Sequence, residues 1–136
     1  MLTMDMLVGD YQKRRTTPIT TQPDPHGGYR FAPDDAPPFT CQRIGDALVL
    51  EGLLCAIDET DTTIPAIDFV QKLLRFNLAQ QKEHTACLAY HEQSKQLVLY
   101  HTILLRHATS WQFIDSVDAF ETALARWHDI ILAHHP

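Results

Sequence analysis

Large apolar residues recur at Phe113, Val117, Phe120, Leu124, Trp127 and Ile131, with steps that alternate between four and three. That spacing predicts an amphipathic helix over 111–132, widened by Ile114 and Ile130. Asp115, Asp118, Glu121, Arg126 and Asp129 fall mostly on its other side. Thr109 and Gln112 have the T-x-x-Q spacing of a capping box at its start. Burying six such side chains contributes roughly 10 kcal/mol. A stripe of this kind needs a broad apolar partner surface, which the rest of the chain must supply.

Upstream the period changes from helical to alternating. Residues 39–44 alternate apolar and polar, as a half-buried strand does, and 47–56 return as a mostly apolar strand. Gly45-Asp46 between them has Gly first, the signal for a type II′ hairpin. Residues 85–90 and 96–104 form a second strand pair around the polar turn 91–95. In the later strand Leu97, Leu99 and Ile103 alternate against Val98, Tyr100 and Leu104. Pro65 opens a helix over 65–78, where its missing N–H costs nothing. Val70, Leu73, Leu74, Asn77 and Leu78 form one face of it, and Phe69 and Phe76 lie toward a second flank. So wide an apolar arc calls for more than one neighbour.

The N-terminal third is harder to organise. A short helix within residues 1–15 would put Leu2, Met6 and Leu7 on one face, with Tyr11 one turn on. Residues 16–38 hold six of the eight prolines and read as a Pro-rich loop, with 29–32 as a short edge strand. The expected architecture is α+β, a single domain over 1–136 with its core in 39–132. Its antiparallel sheet and three helices follow the order α-β-β-β-α-β-β-α.

Composition narrows the function. The net charge is −6, and residues 51–136 carry six Lys/Arg against eleven Asp/Glu. That balance disfavours nucleic acid or an anionic membrane surface as partner. No apolar run is long enough to predict a transmembrane helix. The N-terminus lacks the charge order of a secretory signal, so a cytosolic protein is expected. Cys41, Cys55 and Cys87 form no C-x-x-C pair and sit in apolar, strand-like settings, as buried free thiols do.

Candidate chemistry is sparse. All five glycines lie at or before Gly52, and no phosphate-binding glycine motif occurs, so no cofactor is expected. Seven of eight histidines lie at or after His84, but no pair has ligand spacing on an ordered element, so no metal site is expected. Asp58, Glu59 and Asp61 share a loop without the central Gly and distal Glu of a calcium site. No base is placed beside a cysteine, and the expectation is a protein that is not an enzyme.

The residues themselves resemble a family. LLRFNLAQQ from Leu73, then CLAYHEQSKQLVLYHTILL, then ATSWQFIDSVDAFETALARWHDII are similar to the class I type III secretion chaperones, the Tir-chaperone (CesT-like) family. Leu73, Leu74, Asn77 and Leu78 match the L-L-x-x-N-L end of the family's middle helix. Phe113, Val117, Phe120 and Trp127 match its last helix. Gln80-Gln81-Lys82 stand where members often have glycines, and the Pro-rich segment before Phe39 is longer than usual.

The resemblance implies a homodimer in the cytoplasm of a Gram-negative bacterium, without ATPase activity. It would bind the extended N-terminal segment of a secreted effector and keep it competent for export. An exposed apolar groove and an accessible sheet edge would suffice for that. Cargo candidates are Leu2, Met6 and Leu7 of the first helix and Leu48, Leu50 and Leu54 of the 47–54 strand. Alternation puts Val49 and Leu53 on the other side of that strand, and either side could be the free one. Dimer candidates are Phe69, Leu73 and Phe76 with Leu97 and Leu99, on the helix 65–78 and the strand region 97–104. Two other readings remain: a dimeric adaptor without effector cargo, and an enzyme with a His/Asp site.

Overall fold

The computed structural model describes residues 3–15, 19–24, 27–34, 36–80 and 86–134. The chain is α+β, with elements in the order α1 (Met4–Arg14), β1 (Ile19–Asp24), β2 (Gly28–Pro33), β3 (Phe39–Ile44), β4 (Ala47–Ala56), α2 (Ile64–Gln80), β5 (Cys87–His91), β6 (Gln96–Leu104) and α3 (Ser110–His134). The strands form one antiparallel sheet in the order β1-β2-β3-β4-β6-β5.

The main departure from expectation is at 16–38. Within the stretch expected as a Pro-rich loop, residues 19–24 and 28–33 pair as the hairpin β1–β2 and extend the sheet; the strand expected at 29–32 is part of β2, but β1 and not β2 lies at the edge. Its prolines fit because of where they stand. Pro23 lies in β1, at the sheet edge, and Pro33 is the last residue of β2. A missing N–H is tolerated on an edge strand, and Pro33 lies beyond the β2–β3 pairing, which ends at Phe31 and Phe39. The order therefore has one strand more than expected before α2.

Other local expectations match the structure. Gln112 N–H donates to Thr109 Oγ1 at 3.2 Å and Thr109 N–H to Gln112 Oε1 at 3.1 Å, the two reciprocal bonds of the capping box. Ile44 pairs with Ala47 across the β3–β4 turn, and Gly45 has φ +64° while Asp46 does not, the type II′ pattern.

All three helices contribute buried apolar residues to one cluster with one face of the sheet. That inner face is built from Phe31, Phe39, Cys41, Leu48, Leu50, Leu54, Leu99 and Ile103. The α3 seam covers its middle through Phe113, Val117, Phe120, Leu124, Trp127 and Ile131. An aromatic chain runs from α1 through the sheet to α3. The Tyr11 ring meets Phe31 edge-on at 5.6 Å, Phe31 stacks on Phe39 at 5.0 Å, and Phe39 meets Phe120 at 5.4 Å.

Gly52 marks a close approach of α3 to the sheet. It pairs with Leu99 on the inner face, and a Cβ there would stand 2.6 Å from Leu124 Cδ1. Gly52→Ala should therefore lift α3 and cost about 1–3 kcal/mol. Leu124→Ala should cost about 2–5 kcal/mol alone. The double substitution should cost clearly less than the two single costs added together, because the new methyl fills the space that Leu124 vacates. Urea unfolding of the four proteins checks this.

Candidate functional site

The structure sorts the candidate residues by exposure. On α1, Leu7 is buried with Val8 and Tyr11, while Met6 is 53% exposed; Leu2 lies outside the described residues. On β4, Leu48, Leu50 and Leu54 are buried beneath the helices. They are therefore not accessible in this chain, which corrects their choice as a cargo surface. The opposite side of the strand is the free one, with Leu53 49% exposed. Gly52 could have shown this from sequence, since it shares the side of Leu48, Leu50 and Leu54 and a strand glycine marks close approach.

The α2 candidates divide in the same way. Phe69 and Leu73 are buried in the chain's own core, as is Leu99, so these three do not offer an external face. Phe76 and Leu97 are partly buried, and the Phe76 ring lies 5.4 Å from that of His134. The exposed row is instead Ile67, Val70, Leu74 and Leu78, one helical turn apart, with Leu78 68% exposed. Beside it an apolar groove of about 330 Å³ is lined by Val70, Leu73, Leu74, Leu88, Tyr90 and Leu97. The strand next to this groove that ends the sheet is β5. β6 is paired by β4 along its length and by β5 over 96–100, so the backbone of that stretch is already used.

Polar contacts fix α2 at that edge. Leu88 N–H donates to Asn77 Oδ1 at 3.3 Å, and Arg126 Nη1 donates to Gln80 Oε1 at 3.1 Å. The acids of the loop before α2 have local partners. Asp58 accepts from the N–H and hydroxyl of Thr60, and Asp61 accepts from Thr63 N–H. Glu59 accepts from Tyr90 Oη and Lys95 Nζ, which ties the loop to the β5–β6 hairpin. Those two donors hold the Glu59 carboxyl below its ordinary range. Among the described residues, no three His, Cys, Asp or Glu side chains gather as a metal site. His26, His84 and His135 lie outside the described residues. Burial pushes the Cys41 thiol up to about 12, far from the thiolate a nucleophile needs.

The profile of the Tir chaperone protein (CesT) family matches residues 18–128. The chain belongs to this family. Its match takes in the β1–β2 hairpin as well as the core. Among curated proteins, none matches the chain. Three solved structures share the fold of this CesT-family chain. A chain of the HopA1–SchA chaperone–effector complex superposes with a TM-score of 0.65 at 19% identity, covering 92% of each chain. One from the heterodimeric ExoU–SpcU complex of the type III secretion system of Pseudomonas aeruginosa gives 0.61 at 15%, covering 79% of this chain and 81% of that one. One from the ExsC–ExsE complex gives 0.55 at 15%, covering 91% and 90%. Among the described residues, no helix of this CesT-family chain is long and apolar enough to cross a membrane.

A buried ion pair holds α1, with its exposed Met6, against α3. The Arg15 guanidinium grips both carboxylate oxygens of Glu121, with Nη2 to Oε1 at 2.7 Å, and also donates to Tyr11 Oη at 2.6 Å. Both side chains of the pair are almost withdrawn from water, and removing one partner of such a pair typically costs about 3–5 kcal/mol. Asp118 stands beside this pair. Desolvation raises its carboxyl above the ordinary range, Glu121 and Asp115 add to the rise, and Arg15 opposes it. The folded chain thus binds that proton more tightly than the unfolded chain. The group's penalty appears as pH rises from the unfolded value through the folded one, and it is complete at neutral pH. Asp118→Asn should raise the melting temperature near pH 7 and leave it unchanged below about pH 3. Thermal unfolding at the two pH values checks the sign.

Proposed function

We propose that this chain is a type III secretion chaperone that works without ATP. It binds the extended N-terminal segment of a secreted effector as a homodimer and keeps that segment competent for export. The observation that carries the reading is the apolar surface left open on a chaperone-family chain. Ile67, Val70, Leu74 and Leu78 line one open face; Met6 on α1 and Leu53 on the outer side of β4 are also exposed. Contiguous exposed apolar surface of this kind marks interaction sites.

The two faces suit two partners. The α2 row adjoins the apolar groove at β5, and an amphipathic helix with a groove beside it is self-complementary under a twofold axis. A second copy of the chain is the occupant we assign there. Met6 and the outer face of the sheet remain for the effector, whose extended chain needs only side-chain pockets and main-chain partners. Effector partnership in SchA-like and SpcU-like complexes is consistent with this assignment.

Purification of the tagged chain from its own cells, in buffer free of nucleotide, should bring down one secreted protein bound through its N-terminal segment. Leu53→Asp and Met6→Asp should keep the far-ultraviolet circular dichroism spectrum and reduce that recovery by about tenfold together. Recovery of no secreted protein by the unaltered chain would refute the reading.

A further inference from the structure

We infer that the outer face of the sheet selects, within the effector segment proposed above, a polyproline-type stretch with an acidic and a basic side chain three residues apart. The inference rests on the effector-chaperone reading and adds the chemistry of what is bound. The outer face carries no helix among the described residues, and a groove of about 520 Å³ crosses it from β1 to β4.

Its polar residues form one row. Gln22 pairs with Arg30, Arg30 with Thr40, and Thr40 with Glu51, so four strands place these side chains side by side on one face. Pro23 and Leu53 supply apolar walls. Arg30 is exposed and, among the described residues, no carboxylate pairs with it. By contrast Arg15, Lys72, Lys95 and Arg106 each meet an acid. An unmatched guanidinium in a groove on a chain of net charge −6 is a ready partner for a carboxylate. Glu51, at the other end of the row, meets no Lys or Arg among the described residues and has His91 at 3.8 Å; it offers the complementary site for Lys or Arg.

The spacing sets the conformation of the guest. Arg30 and Glu51 stand two strands apart, roughly 10 Å. In a polyproline II helix, residues three apart share a face at a separation of roughly 9 Å. In a β-strand, residues on the same face lie roughly 7 or 14 Å apart, and neither spacing matches this row. The prolines of such a guest would also pack on the walls formed by Pro23 and Leu53.

The test uses the full chain and a fluorescein-labelled, proline-rich peptide of about twelve residues with Asp and Lys three positions apart. Fluorescence anisotropy at low ionic strength should show it binding at least about tenfold tighter than a peptide with Asn and Gln at those positions. Arg30→Glu should abolish that preference, Arg30→Lys should keep most of it, and the charge exchange Arg30→Glu with Glu51→Lys should restore it. Equal binding of the neutral peptide, no binding of either peptide, or an unchanged preference in Arg30→Glu would overturn the inference. Arg30→Gln serves in place of Arg30→Glu if the latter does not fold. Effector recovery by the unaltered chain is scored separately: its loss removes the chaperone reading, whereas its presence with a failed peptide test removes only this inference.

Discussion

Everything else in the fold is arranged around the contact between α3 and the inner face of the sheet. Leu124 sits over Gly52, where a side chain would block it, and that close approach lets Phe120, Trp127 and Ile131 reach the strands on either side. With α3 seated, the aromatic chain from Phe120 through Phe39 and Phe31 to Tyr11 positions α1, and the Arg15–Glu121 pair holds its end. α2 joins the same core through Phe69 and Leu73, with Phe76 packed against it. Ile67, Val70, Leu74 and Leu78 face away, so the inner face of the sheet does not have room for the whole helix.

This division between covered and open faces is what gives the fold its use. A small domain cannot hide every apolar residue, yet exposed ones here are ordered by element. The α2 row is helical and adjoins an apolar groove. The outer sheet face mixes Leu53 with a polar row anchored by Arg30 and Glu51. A purely apolar helix face fits a permanent partner, and a mixed face fits a chain that must bind and later leave.

Much of this was legible in the chain itself. The α3 seam, its capping box and the β3–β4 turn depend on local spacing, and local spacing is what a sequence displays. Strand β4 was legible as a strand but not in its orientation, because Leu48, Leu50 and Leu54 and their opposites Val49 and Leu53 are all apolar. Gly52 breaks that tie, and only a reading of glycine as a site of close approach uses it. The β1–β2 hairpin was hidden by composition. Its prolines signal a loop unless the strand is known to lie at an edge, and edge position is a tertiary property. The split of α2 was hidden for the same reason, since Phe69, Leu73 and Val70 are equivalent until the sheet chooses among them.

The most direct test of the account is the mass of the purified chain in solution, measured by light scattering at micromolar concentration. The exposed row Ile67, Val70, Leu74 and Leu78 predicts twice the chain mass of 15.5 kDa. It also predicts a return to 15.5 kDa, with the circular dichroism preserved, in Leu74→Asp with Leu78→Asp. A mass of 15.5 kDa for the unaltered chain would contradict the assignment of that face to a second copy.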